Sequence, residues 1–255
     1  MSGKSGATRV TRASRPLVPR WAIYAIVLLI GLAGIGSYLS NRPEKPSKPA
    51  NATVATVPTA YVVTALNPSV DISNGPGGAA TRTLANPDSY GQPLTFLMED
   101  RQGDYVKVAL PVRPNGSSGW VKASQVRIQA DPYRVDVDIT KHQLRLFRSG
   151  DLQETFPIAV GRKETPTPGG TYYLRVLIKT KNPDGPYGPY AYGLNGFSPV
   201  LNSFNGGDGV IGLHGTNEPQ VIGGDASHGC IRLRNADITK LVPQLPLGTP
   251  VRILA

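Results

Sequence analysis

Hydrophobic and polar positions divide the chain into four stretches of different character. Trp21–Leu39 is a run of nineteen residues without a charge. As a helix it would be roughly 28 Å long, close to the thickness of a bilayer's hydrocarbon core. Trp21, Tyr24 and Tyr38 lie near its ends, where amphipathic rings favour the headgroup region. Residues 40–59 carry four prolines and no large apolar cluster, so they read as a semi-rigid tether. Residues 60–130 hold short strand-like runs, "LTFLM", "YVKVAL", "GWVKA" and "VRI", broken by the turn stretches "DRQGD" and "RPNGSSG". From 131 to 255 the pattern is again mainly β. "YRVDVDIT" alternates Val135, Val137 and Ile139 with Asp136, Asp138 and Thr140, as a strand with one wet face would. "HQLRLF" and "LQETFPIAV" flank the turn "RSGD" as a hairpin, and "TYYLRVLI" and "GVIGLHG" are further strands. Residues 181–209 are Gly-rich with interspersed aromatics, and read as a lid or cleft wall. "NADITKLVPQL" is the one helical pattern, with Asn235 as its N-cap and Ile238, Leu241 and Val242 on one face.

Charge orients this layout. The net charge is +10, and Lys4, Arg9, Arg12, Arg15 and Arg20 supply half of it from residues 1–20, which hold no acid. A basic flank stays cytoplasmic, which places everything after residue 40 outside the cell membrane as a single-pass protein. A cleaved signal peptide, with Gly34 and Gly36 near its processing site, is the rival reading. From residue 49 onward 19 Lys/Arg face 16 Asp/Glu, so no basic surface points to a nucleic-acid partner.

An outward-facing chain changes how its single cysteine, Cys230, is read. Outside the cytoplasm thiols tend to pair, and a lone one is inert by burial, joined to another chain, or kept for reactivity. Its surroundings, "DASHGCIRLRN", are polar on both sides. A thiol needs a nearby base or cation to become a ready nucleophile. His214 and His228 are candidate bases, and Arg232 is a candidate cation. If 230–234 is extended, Ile231 and Leu233 enter the core while Cys230 and Arg232 share the open face. Ser227 and Gly229 are small enough to bring backbone N–H groups near an acyl oxygen. His142, in a hairpin turn, reads as a packing residue. A zinc site from His214, His228, Cys230 and Asp225 lacks a second cysteine and the usual ligand spacing.

"IGLHGTNEPQVIGGDASHGCIRLRNADITKL" resembles the signature of the L,D-transpeptidases, cysteine enzymes that cross-link peptidoglycan. The likeness extends upstream through "VDVDITKHQLRLF", "AVGRKETPTPGGTYYL" and "GPYGPYAYGLNGFS", and so covers nearly all of 131–255. "GSSGWVKASQVRI" resembles the last strands of bacterial SH3-like domains, and that order of parts is similar to actinobacterial members. The resemblance implies a β-sandwich-like catalytic fold after a small SH3-like barrel, with one or two short helices. It implies Cys230 as nucleophile and His214 as base, with the Gly215 carbonyl orienting the imidazole. His228 and Gly229, with Ser227, would line the oxyanion site, and Arg232 would contact substrate. Some members carry Ser where this chain has Gly215, a change that a carbonyl orienter survives. The implied partners are donor and acceptor stem peptides of peptidoglycan, and no metal or organic cofactor is required. Sortases separate their His and Cys much further, and NlpC-type peptidases place Cys before His. Carboxypeptidase or protein-anchoring activity, and a wall-binding scaffold without turnover, remain open alternatives at this level. The sequence is silent on oligomeric state.

Overall fold

The computed structural model describes residues 60–203 and 207–255. The basic tail at 1–20, the apolar span at 21–39 and the linker at 40–59 lie outside the described residues. Among the described residues no helix is long and apolar enough to cross a membrane.

Two β-units follow one another. The first is built from β1 (Ala60–Ala65), β2 (Ser69–Ser73), β3 (Ala80–Ala85), β4 (Thr95–Gln102), β5 (Tyr105–Ala109), β6 (Ser118–Lys122) and β7 (Val126–Asp131). They form a seven-stranded sheet in the order β3-β2-β6-β5-β4-β1-β7. Val63, Val70, Phe96, Val106, Val108 and Val121 form its core. β3, "ATRTLA", escapes the sequence pattern because it is exposed along nearly its whole length and carries no buried apolar face; β2 buries only Val70 and Ile72 as its apolar positions and is too short for a clear alternation.

The second unit comprises β8 (Tyr133–Asp138), β9 (Gln143–Arg148), β10 (Asp151–Pro157), β11 (Val160–Gly161), β12 (Gly170–Lys179), β13 (Tyr190–Phe197), β14 (Val210–His214), β15 (Asp225–Ser227), β16 (Ile231–Arg232), α1 (Asn235–Leu241) and β17 (Pro250–Leu254). Eight strands run in the order β10-β9-β8-β17-β12-β13-β14-β16, and β11 pairs with β15 separately. The long β12 belongs to both halves: Gly170–Tyr173 pair with β17, and Leu174–Lys179 pair with β13. Apolar side chains from both halves, with Ile238 and Leu241 of α1, meet in one core, which makes the unit sandwich-like.

Three sequence expectations need correction. The Gly-rich stretch 181–209, in which no strand was expected, contains β13, and its residues do wall the cleft. Its glycines are demanded by packing: a Cβ on Gly196 would lie 2.4 Å from a Tyr172 ring carbon, and one on Gly193 would lie 2.7 Å from Val176 Cγ1. The face of β8 read as wet is covered, since Asp136 is 3% exposed. Arg134 (2.9 Å) and Arg252 (2.6 Å) pair with its carboxylate and hold it below the ordinary range despite burial. Arg234, not Asn235, is the N-cap of α1. The Asn235 side chain is engaged elsewhere, as described below.

Candidate active site

β14 and β16 lie parallel, with Leu213 opposite Ile231 and His214 opposite Arg232. Leu213 and Ile231 are wholly buried, so alternation along the strands sends His214 and Arg232 to the other side. His214 is 3% exposed. Its Nδ1 lies 2.5 Å from the Gly215 carbonyl oxygen. A carbonyl can only accept, so Nδ1 carries the hydrogen and Nε2 keeps the lone pair a base requires. The edge of Tyr187 closes over the ring, centroids 4.9 Å apart at 64°.

Gly215 is held tightly. A Cβ there would lie 2.4 Å from Asn235 Oδ1 and 3.0 Å from Gly188 Cα. Asn235 Oδ1 accepts the Thr216 N–H at 2.8 Å, so the first residue of α1 fixes the loop that carries the orienting carbonyl. This role was hidden by the stronger local signal of an Asn at a helix start.

Cys230 follows a turn closed by Ser227. The Ser227 hydroxyl donates to the Cys230 carbonyl (2.5 Å) and accepts the Gly229 N–H (3.1 Å). Ser227 and Gly229 therefore shape the turn, and the Gly229 N–H is spent within it. Gly229 sits at φ +115°, a backbone region that favours glycine. The loop after β11 clamps this turn from outside: Thr167 Oγ1 donates to the Gly229 carbonyl (2.9 Å) and accepts the Gly161 N–H (2.8 Å). Thr167 was not singled out from sequence, although "TPTPGG" lies inside the stretch that carries the resemblance. His142, at φ +50°, pairs with Asp225 at 2.8 Å on the strand leading into the turn.

Sulfur and imidazole meet over Gly212, which sequence reading passed over. Its N–H donates to Cys230 Sγ at 3.3 Å. A Cβ placed on it would lie 3.3 Å from His214 Cδ2 and 3.5 Å from Sγ, so both groups crowd the same backbone point. Burial pushes the Cys230 thiol up from its ordinary range, against the opposing pull of the Gly212 N–H and the Arg232 charge. Burial also lowers His214 to about 4, with Arg232 adding to the effect and the Gly215 carbonyl opposing it. At neutral pH the resting pair is thus a neutral thiol beside a neutral imidazole.

Arg232 Nη1 pairs with Glu218 Oε2 at 2.7 Å. Its Nε is buried and has no hydrogen-bond partner among the described residues. The cleft has two arms that share Tyr187, His214 and Cys230. One, of about 170 Å³, is mostly apolar and passes Val210 and Ile178. The other, of about 70 Å³, is lined by Arg232, His228 and Ser227. The structure thus brings Cys230, His214, Gly215, Ser227, His228, Gly229 and Arg232 into one place.

A partly buried thiol, an oriented imidazole and a cation thus stand at the meeting of two clefts in this β-unit. Residues 132–253 match the YkuD family model, the L,D-transpeptidase catalytic domain. YkuD of Bacillus licheniformis, which bears the L,D-transpeptidase name, is 35% identical over 151 residues, covering 56% of this chain and 83% of that protein. Its namesake in Bacillus subtilis is 37% identical over 122 residues, 48% of this chain and 66% of the relative. The crystal structure of L,D-transpeptidase 3 from Mycobacterium tuberculosis aligns with a TM-score of 0.40 at 16% identity, covering 54% of this chain and 74% of that one. The chain belongs to the L,D-transpeptidase family and is an enzyme of that kind.

Proposed function

We propose that this protein cross-links peptidoglycan through a thioester on Cys230. As His214 Nε2 takes the thiol proton, Sγ attacks the carbonyl of the third residue of a tetrapeptide stem. The S–C bond forms, the C–N bond to the terminal D-Ala breaks, and the imidazolium returns the proton to the departing amine. The side-chain amine of a neighbouring stem's third residue then attacks the thioester. Its proton passes through His214 to the leaving thiolate, and an amide replaces the C–S bond. The Cys230 N–H is the donor we assign to the acyl oxygen, with His228 beside it. Arg232, with one buried guanidinium nitrogen unpartnered among the described residues, holds the peptide.

The observation that carries this reading is the crowding of Sγ and an Nδ1-anchored imidazole over Gly212. In the same reading residues 21–39 anchor the protein in the cell membrane, the catalytic unit faces outward, and the seven-stranded unit is an SH3-like module. The test is to incubate the protein with tetrapeptide muropeptides and identify products by mass spectrometry. Dimers with loss of D-Ala support the transpeptidase. D-Ala loss alone replaces it with a carboxypeptidase, and no change with a scaffold.

A further inference from the structure

The seven-stranded unit does not stand apart from the chemistry. Its loop between β3 and β4 reaches the catalytic unit and is fixed there from several sides. Gln92 hydrogen-bonds both ways with the Leu177 backbone, donating to its carbonyl at 2.5 Å and accepting its N–H at 3.1 Å. Asp88 pairs with Arg175 at 3.2 Å, both side chains nearly buried. Asp88 also accepts the Tyr90 N–H at 2.8 Å, and Arg175 lies 5.4 Å from the Tyr90 ring centre. The result is a ring held in place yet 42% exposed, in the wall of the larger cleft arm that ends at Cys230.

A second loop of the same unit secures the opposite wall. Arg113 donates to the carbonyls of Ser198, Leu201 and Asp208, each at 3.0 Å, and Asn115 brackets Phe197 through its N–H and carbonyl. Asp208 and Gly209 of that wall line the same arm.

We infer that Tyr90 is a substrate-contact residue supplied by the first unit, its ring packing against the uncharged part of the donor stem. This rests on the function proposed above. The arm suits that occupant because it is mostly apolar and its acidic group, Asp208, repels carboxylates. Two cations stand behind its walls and both are engaged: Arg175 is paired with Asp88 and covered by the ring, and Arg113 donates to three carbonyls, whereas Arg232 faces the other arm. A spacer needs no aromatic ring at this point, nor a loop tied so firmly to place it.

The experiment compares the full-length protein with Tyr90→Ala and Tyr90→Phe. Two readouts are taken: stem-peptide kinetics, and the ratio of Cys230 alkylation rates by N-benzylmaleimide and by iodoacetamide. Tyr90→Ala should raise KM about tenfold while kcat falls much less, and Tyr90→Phe should restore KM to within about twofold. The alkylation ratio should fall several-fold in Tyr90→Ala only, because the benzyl group loses its stacking partner. An unchanged KM, or a ratio that stays level or rises, overturns the inference. A wild-type protein that leaves stems untouched while the ratio still falls overturns the proposed function and keeps the contact.

Discussion

The neutral His214 should announce itself in acid. Its pKa in the folded protein is about 4 against an ordinary value of 6.5, because burial penalises the imidazolium. A depressed value means that the folded state resists a proton the unfolded chain accepts. The stability this site contributes is therefore complete above pH 6.5 and is lost as pH falls toward 4. The difference of 2.5 pH units corresponds to about 3 kcal/mol in all, of which about 2 kcal/mol is gone by pH 5. Carboxylates add their own pH dependence: Asp136 and Asp138 are held low by their partners, while burial raises Asp131 and Asp237. The perturbation that isolates His214 is His214→Gln, which removes the titrating group and leaves the carboxylates. Urea unfolding of both proteins at pH 7, 6, 5 and 4 gives the stability difference at each pH. Any constant packing cost of the substitution cancels, and wild type should lose about 3 kcal/mol relative to the variant across that range. A difference that stays flat with pH would show that the imidazole charges freely in the folded state. The buried, Nδ1-anchored base would then be refuted.

Three further outcomes follow from the same geometry. Ser227→Ala removes both bonds that close the turn before Cys230, and should cost about 1–3 kcal/mol and lower stem turnover on the order of 10²-fold; wild-type turnover would mean that the turn holds itself. Arg232→Lys keeps the charge but loses the planar fork, so stem turnover should drop on the order of 10²-fold while iodoacetamide still alkylates Cys230 at close to the wild-type rate; equal losses would assign Arg232 to tuning the thiol. Gly196→Ala drives a methyl into the Tyr172 ring and should destabilise the fold by about 1–3 kcal/mol, read as a shift in the urea midpoint; an unshifted midpoint would contradict that packing.

What the sequence disclosed was the local part of this site. His214, Ser227, His228, Gly229, Cys230 and Arg232 lie within nineteen consecutive positions, so motif and alternation could be read together. β14 was visible for the same reason, as an apolar strand ending on His214. Residues 181–209 do wall the cleft as expected, but glycine hid the strand within them, because Gly193 and Gly196 make room for Val176 and Tyr172. Thr167, Asn235 and Tyr90 were invisible as site residues because each acts across a long sequence separation. Thr167 reaches Gly229 and Asn235 reaches Thr216 only once the sheets have formed. Tyr90 reaches the cleft only once the two units have packed.

Burial moves the two reacting groups in opposite directions, and both movements favour the same uncharged pair. A thiolate–imidazolium pair formed at rest would have to overcome both shifts, so the proposed mechanism activates the thiol as substrate arrives. In that mechanism the proton leaves sulfur as a carbonyl arrives to share the developing charge, with the acyl oxygen accepting from the Cys230 N–H. On this mechanism the reactivity of Cys230 is gated by substrate contact. A small alkylating reagent, which brings no acyl oxygen and fills neither arm, should find a sluggish thiol at neutral pH. That sluggishness fits a protein whose only cysteine, on the proposed topology, faces an oxidising exterior. It also makes the cleft walls part of the activation, because whatever seats the stem, from Arg232 on one side to Tyr90 on the other, governs when the proton can move.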